Sequence, residues 1–109
     1  MPRRTDPQTI FGSRLRQARM RLGIPQDKLG TQIGLDEGCA SARISRYETG
    51  THQPPWLIVE KLAKVLQVPV AYFFVGDDQL AELIRLFERL PADHRGQLID
   101  HAMCLAESA

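Results

Sequence analysis

The chain is poor in cysteine. Cys39 and Cys104 do not make a disulfide framework, and their spacing fits no zinc motif. A reducing cytoplasm is the expected setting. No apolar run approaches the ~18 residues that a membrane span needs. The basic start, "MPRRTDPQTIFG", leads into no apolar signal core, so secretion is not expected. Strand-like alternation, internal repeats and low-complexity segments are all missing. So is any nucleophile, metal-ligand or phosphate-loop constellation, which argues against an enzyme and against a cofactor. His94, His101 and Cys104 stand seven and three residues apart and align on one helix face. No second ligand set accompanies them, and no metal is expected.

A large excess of one charge is also missing, since the net charge is +1. The distribution is uneven, however. Residues 1–74 hold 11 basic and 6 acidic side chains, and residues 75–109 hold 3 and 7. A basic first part with an acidic tail points to a polyanion met by the first part alone, although unrelated segregation of surface charge gives the same balance.

What is present is a run of helical segments separated by short punctuation. With 109 residues, 43% of them hydrophobic and 25% charged, one soluble globular domain is the default. "QTIFGSRLRQARMRLG" places Ile10, Leu15, Ala18 and Leu22 on one face and stops at Gly23. "PQDKLGTQIG" starts at Pro25, repeats Leu29 and Ile33 at i,i+4, and ends at Gly34. "PPWLIVEKLAKVLQV" carries a stripe of Trp56, Val59, Leu62, Ala63 and Leu66, and "VPVAYFF" adds a short turn or helix. Beyond Gly76, Asp77 or Asp78 can cap a helix with Leu80, Leu83, Ile84, Phe87 and Leu90 on its apolar face. Leu90-Pro91 breaks it, and Pro91 opens a last helix with Leu98, Ile99, Ala102 and Leu105.

Residues 39–50 carry the functional argument. At about 100° per residue, Ala40, Ile44 and Tyr47 fall on one side, with Glu48 beside them. Ala42, Ser45, Arg46 and Thr49 fall roughly opposite, with Arg43 at the flank. Small residues let a helix approach a surface closely, and arginine forks match guanine edges or phosphates. A merely solvated face is more often rich in Glu and Lys. A short helix, a glycine turn and a second helix of this kind make a helix-turn-helix.

The ordered set Gly23, Gln26, Leu29, Ile33-Gly34, Ile44-Ser45, Tyr47-Glu48, Gly50, Pro54 and "KLAKVL" resembles the Cro/lambda-repressor type, the XRE family of bacterial and phage regulators. The likeness covers residues 10–74. Taken with the helical pattern of the whole chain, it gives an expected all-α architecture: a five-helix lambda-repressor-like DNA-binding domain over residues 9–75, preceded by a flexible arm (1–8) and followed by the two-helix extension (76–109) read from the tail's own residues. It also implies a repressor in the bacterial cytoplasm, on the nucleoid when bound, gripping a palindromic operator of double-stranded DNA as a homodimer. By the same resemblance Gln26 touches the DNA backbone and helps hold a base-reading side chain. Pro25 departs from the usual Ser or Thr, so a capping hydroxyl is lost. Ser41, Ala42, Arg43, Ser45, Arg46 and Thr49 match recognition-helix positions, with Arg43 and Arg46 foremost; a surface ion pair is the other reading of either arginine. Thr51, His52 and Gln53 match a loop along the phosphates, here without its frequent Lys or Arg. Arg19 and Glu48 match a buried salt bridge, and no acid or His beside Glu48 in sequence supports a catalytic reading. Arg3 and Arg4 form either an arm on DNA or a solvated tail.

One departure stands out. Ile44 follows Gly34 by ten residues, where the resemblance implies about six. If the helix starts at Asp36, its N-terminus lengthens by about 6 Å toward the bases. If "LDEG" is loop, docking stays family-like; Gly38 and the repulsion of Glu37 by phosphate favour this reading. Cys39 at the junction is either a small buried filler or a redox switch. In the tail, Leu80, Leu83, Ile84, Phe87, Leu98, Ile99, Ala102 and Leu105 form stripes richer than one hairpin covers. This points to homodimerisation through residues 78–107. An antitoxin-type protein-interaction module, holding a protein partner with these helices and binding its own promoter, is the alternative.

Overall fold

The computed structural model describes residues 7–108, and every regular element among them is helical. In chain order these are α1 (Pro7–Arg21), α2 (Gln26–Gln32), α3 (Ala40–Thr49) and α4 (Trp56–Leu66), then a 3₁₀ turn (Val70–Phe74), α5 (Asp78–Arg89) and α6 (Ala92–Ser108). Arg3 and Arg4 lie outside the described residues, and the helix already begins at Pro7 within the span expected to be an arm.

Local chemistry sets the boundaries. Pro25 and Pro55, both extended, precede α2 and α4, where a missing N–H costs nothing. Pro25 offers no side-chain cap. Asp77 caps α5, its Oδ1 accepting from the Leu80 N–H at 2.8 Å. α3 ends at Gly50, whose φ of 79° is the left-handed conformation that lets the chain reverse.

The core lies between α1, α2, α3, α4 and the 3₁₀ turn. Leu15, Leu29, Ile44, Leu62 and Phe73 are fully buried at its centre, each contributing about 1.5–3 kcal/mol by leaving water. Phe11 stacks on Phe73 with ring centroids 5.0 Å apart. Stripe residues on three helices differ from the helical-face reading. On α1, Phe11 holds the buried position, Ile10 is half-buried, and Leu22 is exposed because α1 has ended at Arg21. Trp56 is 61% exposed: it stands in the first turn of α4, where Pro54 is the buried residue. On α5, Ala81 is buried and Ile84 packs partly on the core, whereas Leu80 and Leu83 are exposed.

The change of composition at Gly76 is not a linker in space. Arg14, only 5% exposed, donates to the Val75 and Gly76 carbonyls at 2.8 and 3.1 Å and to Asp78 Oδ1 at 3.0 Å. Its remaining nitrogen donates to Gln17 Oε1, which also accepts from the Tyr72 hydroxyl. The base of α5 is thereby fixed to α1. The last helix behaves otherwise, for no residue of α6 is buried. α5 and α6 meet at an open corner, lining a cleft between them.

Candidate nucleic-acid interface

Two glycines seat α3. A Cβ on Gly30 of α2 would stand 2.5 Å from the Ala40 Cβ, and one on Gly12 of α1 would collide with the backbone carbonyls of Tyr47 and Glu48. Both helices therefore press directly on α3 backbone. Ala40, Ile44 and Tyr47 fill the buried face. Ser41, Ala42, Arg43, Arg46 and Thr49 are exposed on the other, and Ser45 is half-buried between.

The turn before α3 absorbs the extra residues. Leu35 packs partly on the core and donates its N–H to the Gly30 carbonyl at 2.9 Å. Asp36, Glu37 and Gly38 form an exposed tip. The Cys39 N–H and thiol both reach the Asp36 carbonyl, at 3.0 and 3.5 Å. Regular α-helix starts at Ala40 and runs ten residues, so the excess lengthens the turn and leaves α3 short. Cys39 is half-buried and free.

A polar chain fixes the groups around α3. Arg19 donates through Nε and Nη2 to both carboxylate oxygens of Glu48, the second contact being 3.2 Å, and through Nη1 to the Ile24 carbonyl at 3.0 Å. The side chains are 13% and 6% exposed, so this is a largely desolvated, bidentate pair. Gln26 Nε2 donates to Glu48 Oε1 at 3.2 Å, and Gln26 Oε1 accepts from the Ser41 hydroxyl at 3.2 Å. Sequence reasoning placed Gln26 near the interface but not in this bridge. The bridge depends on residues 15 and 22 positions apart and has no local signal.

Arg43 and Arg46 have no hydrogen-bond or ion-pair partner on their side chains among the described residues. The surface-ion-pair reading of either finds no partner among the described residues. At the end of α3 the Arg46 carbonyl accepts from the Thr51 and His52 N–H groups and from the Thr49 hydroxyl. Thr49 and Thr51 hydroxyls share a 2.8 Å bond. The side chains of Thr51, His52 and Gln53 remain exposed beside them. No group of three His, Cys, Asp or Glu comes together for a metal ion among the described residues. No described helix is long and apolar enough to cross a membrane.

This geometry is that of two short helices joined by a turn, the second presenting a small, basic face. Residues 10–72 match the family described as helix-turn-helix domain, more than half of the chain. The chain belongs to the helix-turn-helix domain family. Among its relatives, it is 36% identical over 63 residues to an uncharacterized HTH-type transcriptional regulator of Sinorhizobium medicae and, equally, to one of Rhizobium meliloti. That segment is 58% of this chain and 42% of either rhizobial protein, so the likeness leaves more than half of each relative uncovered. The cryptic phage CTXphi transcriptional repressor RstR of Vibrio cholerae is 31% identical over 94 residues, 82% of this chain and 81% of RstR. The crystal structure of the transcriptional regulator BswR superposes with a TM-score of 0.83 at 41% identity, covering 89% of this chain and 96% of BswR. The last two alignments extend past the helix-turn-helix domain into the tail.

Proposed function

We propose that this chain is a sequence-specific DNA-binding transcriptional regulator, a repressor, that inserts α3 into the major groove. The observation that carries the reading is the exposed face of α3: Ser41 and Ala42 allow close approach, and the Arg43 and Arg46 side chains have no partner among the described residues. Arg46 reads a base edge and Arg43 a base or adjacent phosphate. Gln26, held by Glu48 and Ser41, is presented to the backbone in one orientation. Ser45, Thr49, Thr51, His52 and Gln53 supply neutral hydrogen bonds that position the domain. Its site of action is the bacterial cytoplasm, and it acts by binding rather than by catalysis. A palindromic operator is bound by a homodimer joined through the tail, a reading supported by the uncovered apolar residues of α5 and α6.

Selection of bound sequences from random DNA, with the mass of the complex measured, tests this directly. An inverted repeat bound by two copies is expected, with affinity falling steeply as salt rises. Arg46→Ala should cost about 1–3 kcal/mol and relax preference at one base pair. An equal loss on every sequence would reassign Arg46 to a phosphate. Failure to bind any native promoter fragment at low salt would sink the reading. The exposed α6 also suits an antitoxin-type module, which predicts co-purification of an unrelated protein that masks residues 78–107.

A further inference from the structure

The polar chain beside α3 has a direction, and a largely buried charge fixes it. Both carboxylate oxygens of Glu48 accept from the Arg19 guanidinium, and the Glu48 side chain is only 6% exposed. A carboxylate held in this way accepts hydrogen bonds and cannot donate them. The group 3.2 Å from Glu48 Oε1 is therefore the Nε2 end of Gln26. Turned end for end, the amide would set its oxygen against the carboxylate. The amide oxygen of Gln26 is thereby aimed at Ser41. It can only accept, so the Ser41 hydroxyl gives its one proton to Oε1, at 3.2 Å. A serine hydroxyl ordinarily has a proton to give and two lone pairs to accept with, and so meets either kind of base edge. At Ser41 only the lone pairs remain for a ligand. The residue is exposed in the first turn of α3, the part of a recognition helix that meets base edges.

We infer that Ser41 is a specificity-determining residue of fixed polarity. It accepts from an exocyclic amino group in the major groove, N6 of adenine or N4 of cytosine, and discriminates against guanine and thymine at that position. Gln26 and Glu48 act through it as positioning residues. This rests on the DNA-binding reading above and adds the chemistry of one contact. Guanine presents O6 and N7, and thymine presents O4 and a methyl group, none of which has a proton to offer. To meet either base, Ser41 would have to turn its proton away from Gln26 and leave Oε1 without that donor. The difference is about one neutral hydrogen bond, roughly threefold to tenfold in affinity. Arg43 and Arg46 have the opposite polarity, since a guanidinium only donates and matches the O6 and N7 acceptors of guanine. One face of α3 thus combines donors and a dedicated acceptor.

The test uses the full chain on the DNA sequence it selects, with each base pair changed in turn. One position should favour A or C over G or T by about threefold to tenfold, and Ser41→Ala should flatten the preference at that position alone. Ser41→Thr keeps a hydroxyl and should retain it. At the same position, a base lacking the exocyclic amino group, purine for adenine or 2-pyrimidinone for cytosine, should weaken the unsubstituted chain by a similar factor and leave Ser41→Ala unaffected. Gln26→Met removes the amide and keeps the Arg19–Glu48 pair. With its fold checked by circular dichroism, it should bind every sequence more weakly and also erase the amino preference, because the Ser41 hydroxyl can then donate as well as accept. Weaker binding with the amino preference intact would make Gln26 a merely structural residue and overturn the relay. A Ser41→Ala chain with every base preference unchanged, or a Ser41-dependent position that favours G or T, would overturn the inference and leave the DNA-binding reading intact. A chain that binds no DNA at low salt would overturn both.

Discussion

Residues 7–75 and residues 76–108 carry apolar stripes of comparable density but opposite fates. In the first region Leu15, Leu29, Ile44 and Leu62 are all completely buried. In the second only Ala81 is, while Leu80, Leu83, Leu86, Ile99, Met103 and Leu105 all remain between 43 and 59% exposed. An amphipathic pattern specifies that a face must be covered, and it does not specify by what. The first region supplies four mutually packed helices and a 3₁₀ turn. The tail supplies two helices whose apolar residues stay largely uncovered among the described residues.

Substitutions can sharpen that contrast, and the largest effect belongs to the closed region. Glu48→Ala leaves Arg19 charged and largely buried and also removes an anchor of Gln26; a loss of about 3–5 kcal/mol in urea unfolding is expected. A loss under about 1 kcal/mol would mean that the pair is solvated and the region less closed than its burial indicates. The matched pair Leu62→Ala and Leu86→Ala compares the regions directly. At a protein concentration low enough to disfavour association, the first should cost about 2–5 kcal/mol and the second within about 0.5 kcal/mol. Equal costs would erase the distinction. Gly30→Val drives a side chain into Ala40 and should cost about 1–3 kcal/mol. It should weaken DNA binding beyond that loss, because α3 itself must shift.

The smallest effect tests the link between the regions. Arg85 donates to the carboxylate of Glu82, and Arg21 of α1 stands 3.6 Å from it. The hydrogen bond from Arg85 is the main reason that the Glu82 carboxyl is held below its ordinary value of 4.5, and partial burial works against it. The reciprocal effect raises the Arg85 guanidinium. A carboxylate depressed in the folded state contributes its stability above about pH 4.5 and loses it as pH falls through the lower folded value. Glu82→Gln should therefore remove a small part of the acid-side decline in the urea midpoint. An unchanged profile would reduce this contact to a surface encounter.

Much of this was legible in residue order because its causes are local. Gly23, Pro25, Gly34, Gly50, Pro54-Pro55 and Pro91 punctuate the helices through backbone chemistry that acts within a turn or two. The two faces of α3 followed from the periodicity of Ala40, Ile44 and Tyr47 against Ala42, Arg46 and Thr49, with Arg43 at the flank; Ser45, read as opposite the core, is half-buried. The misplaced residues had tertiary causes. Trp56 has the angular position of a core residue and lies outside the core. Phe11 and Ala81 were passed over because what buries them comes from elsewhere in the chain.

By itself, then, the sequence determined that the chain is all-helical, where its helices stop, and which side of α3 faces inward. Only the tertiary structure decided that α3 starts at Ala40, because Leu35 is drawn to the core and Cys39 folds back on Asp36. It also decided that Gln26 bridges Glu48 and Ser41, that Arg14 reaches across the chain to Val75 and to Asp78 at the start of α5, and that Arg95 donates to the Phe87 and Glu88 carbonyls at the end of α5. Helix propensity and punctuation are sums over near neighbours. A buried guanidinium's partners or a helix's cover depend on which distant surfaces meet, and that is settled only when the chain packs.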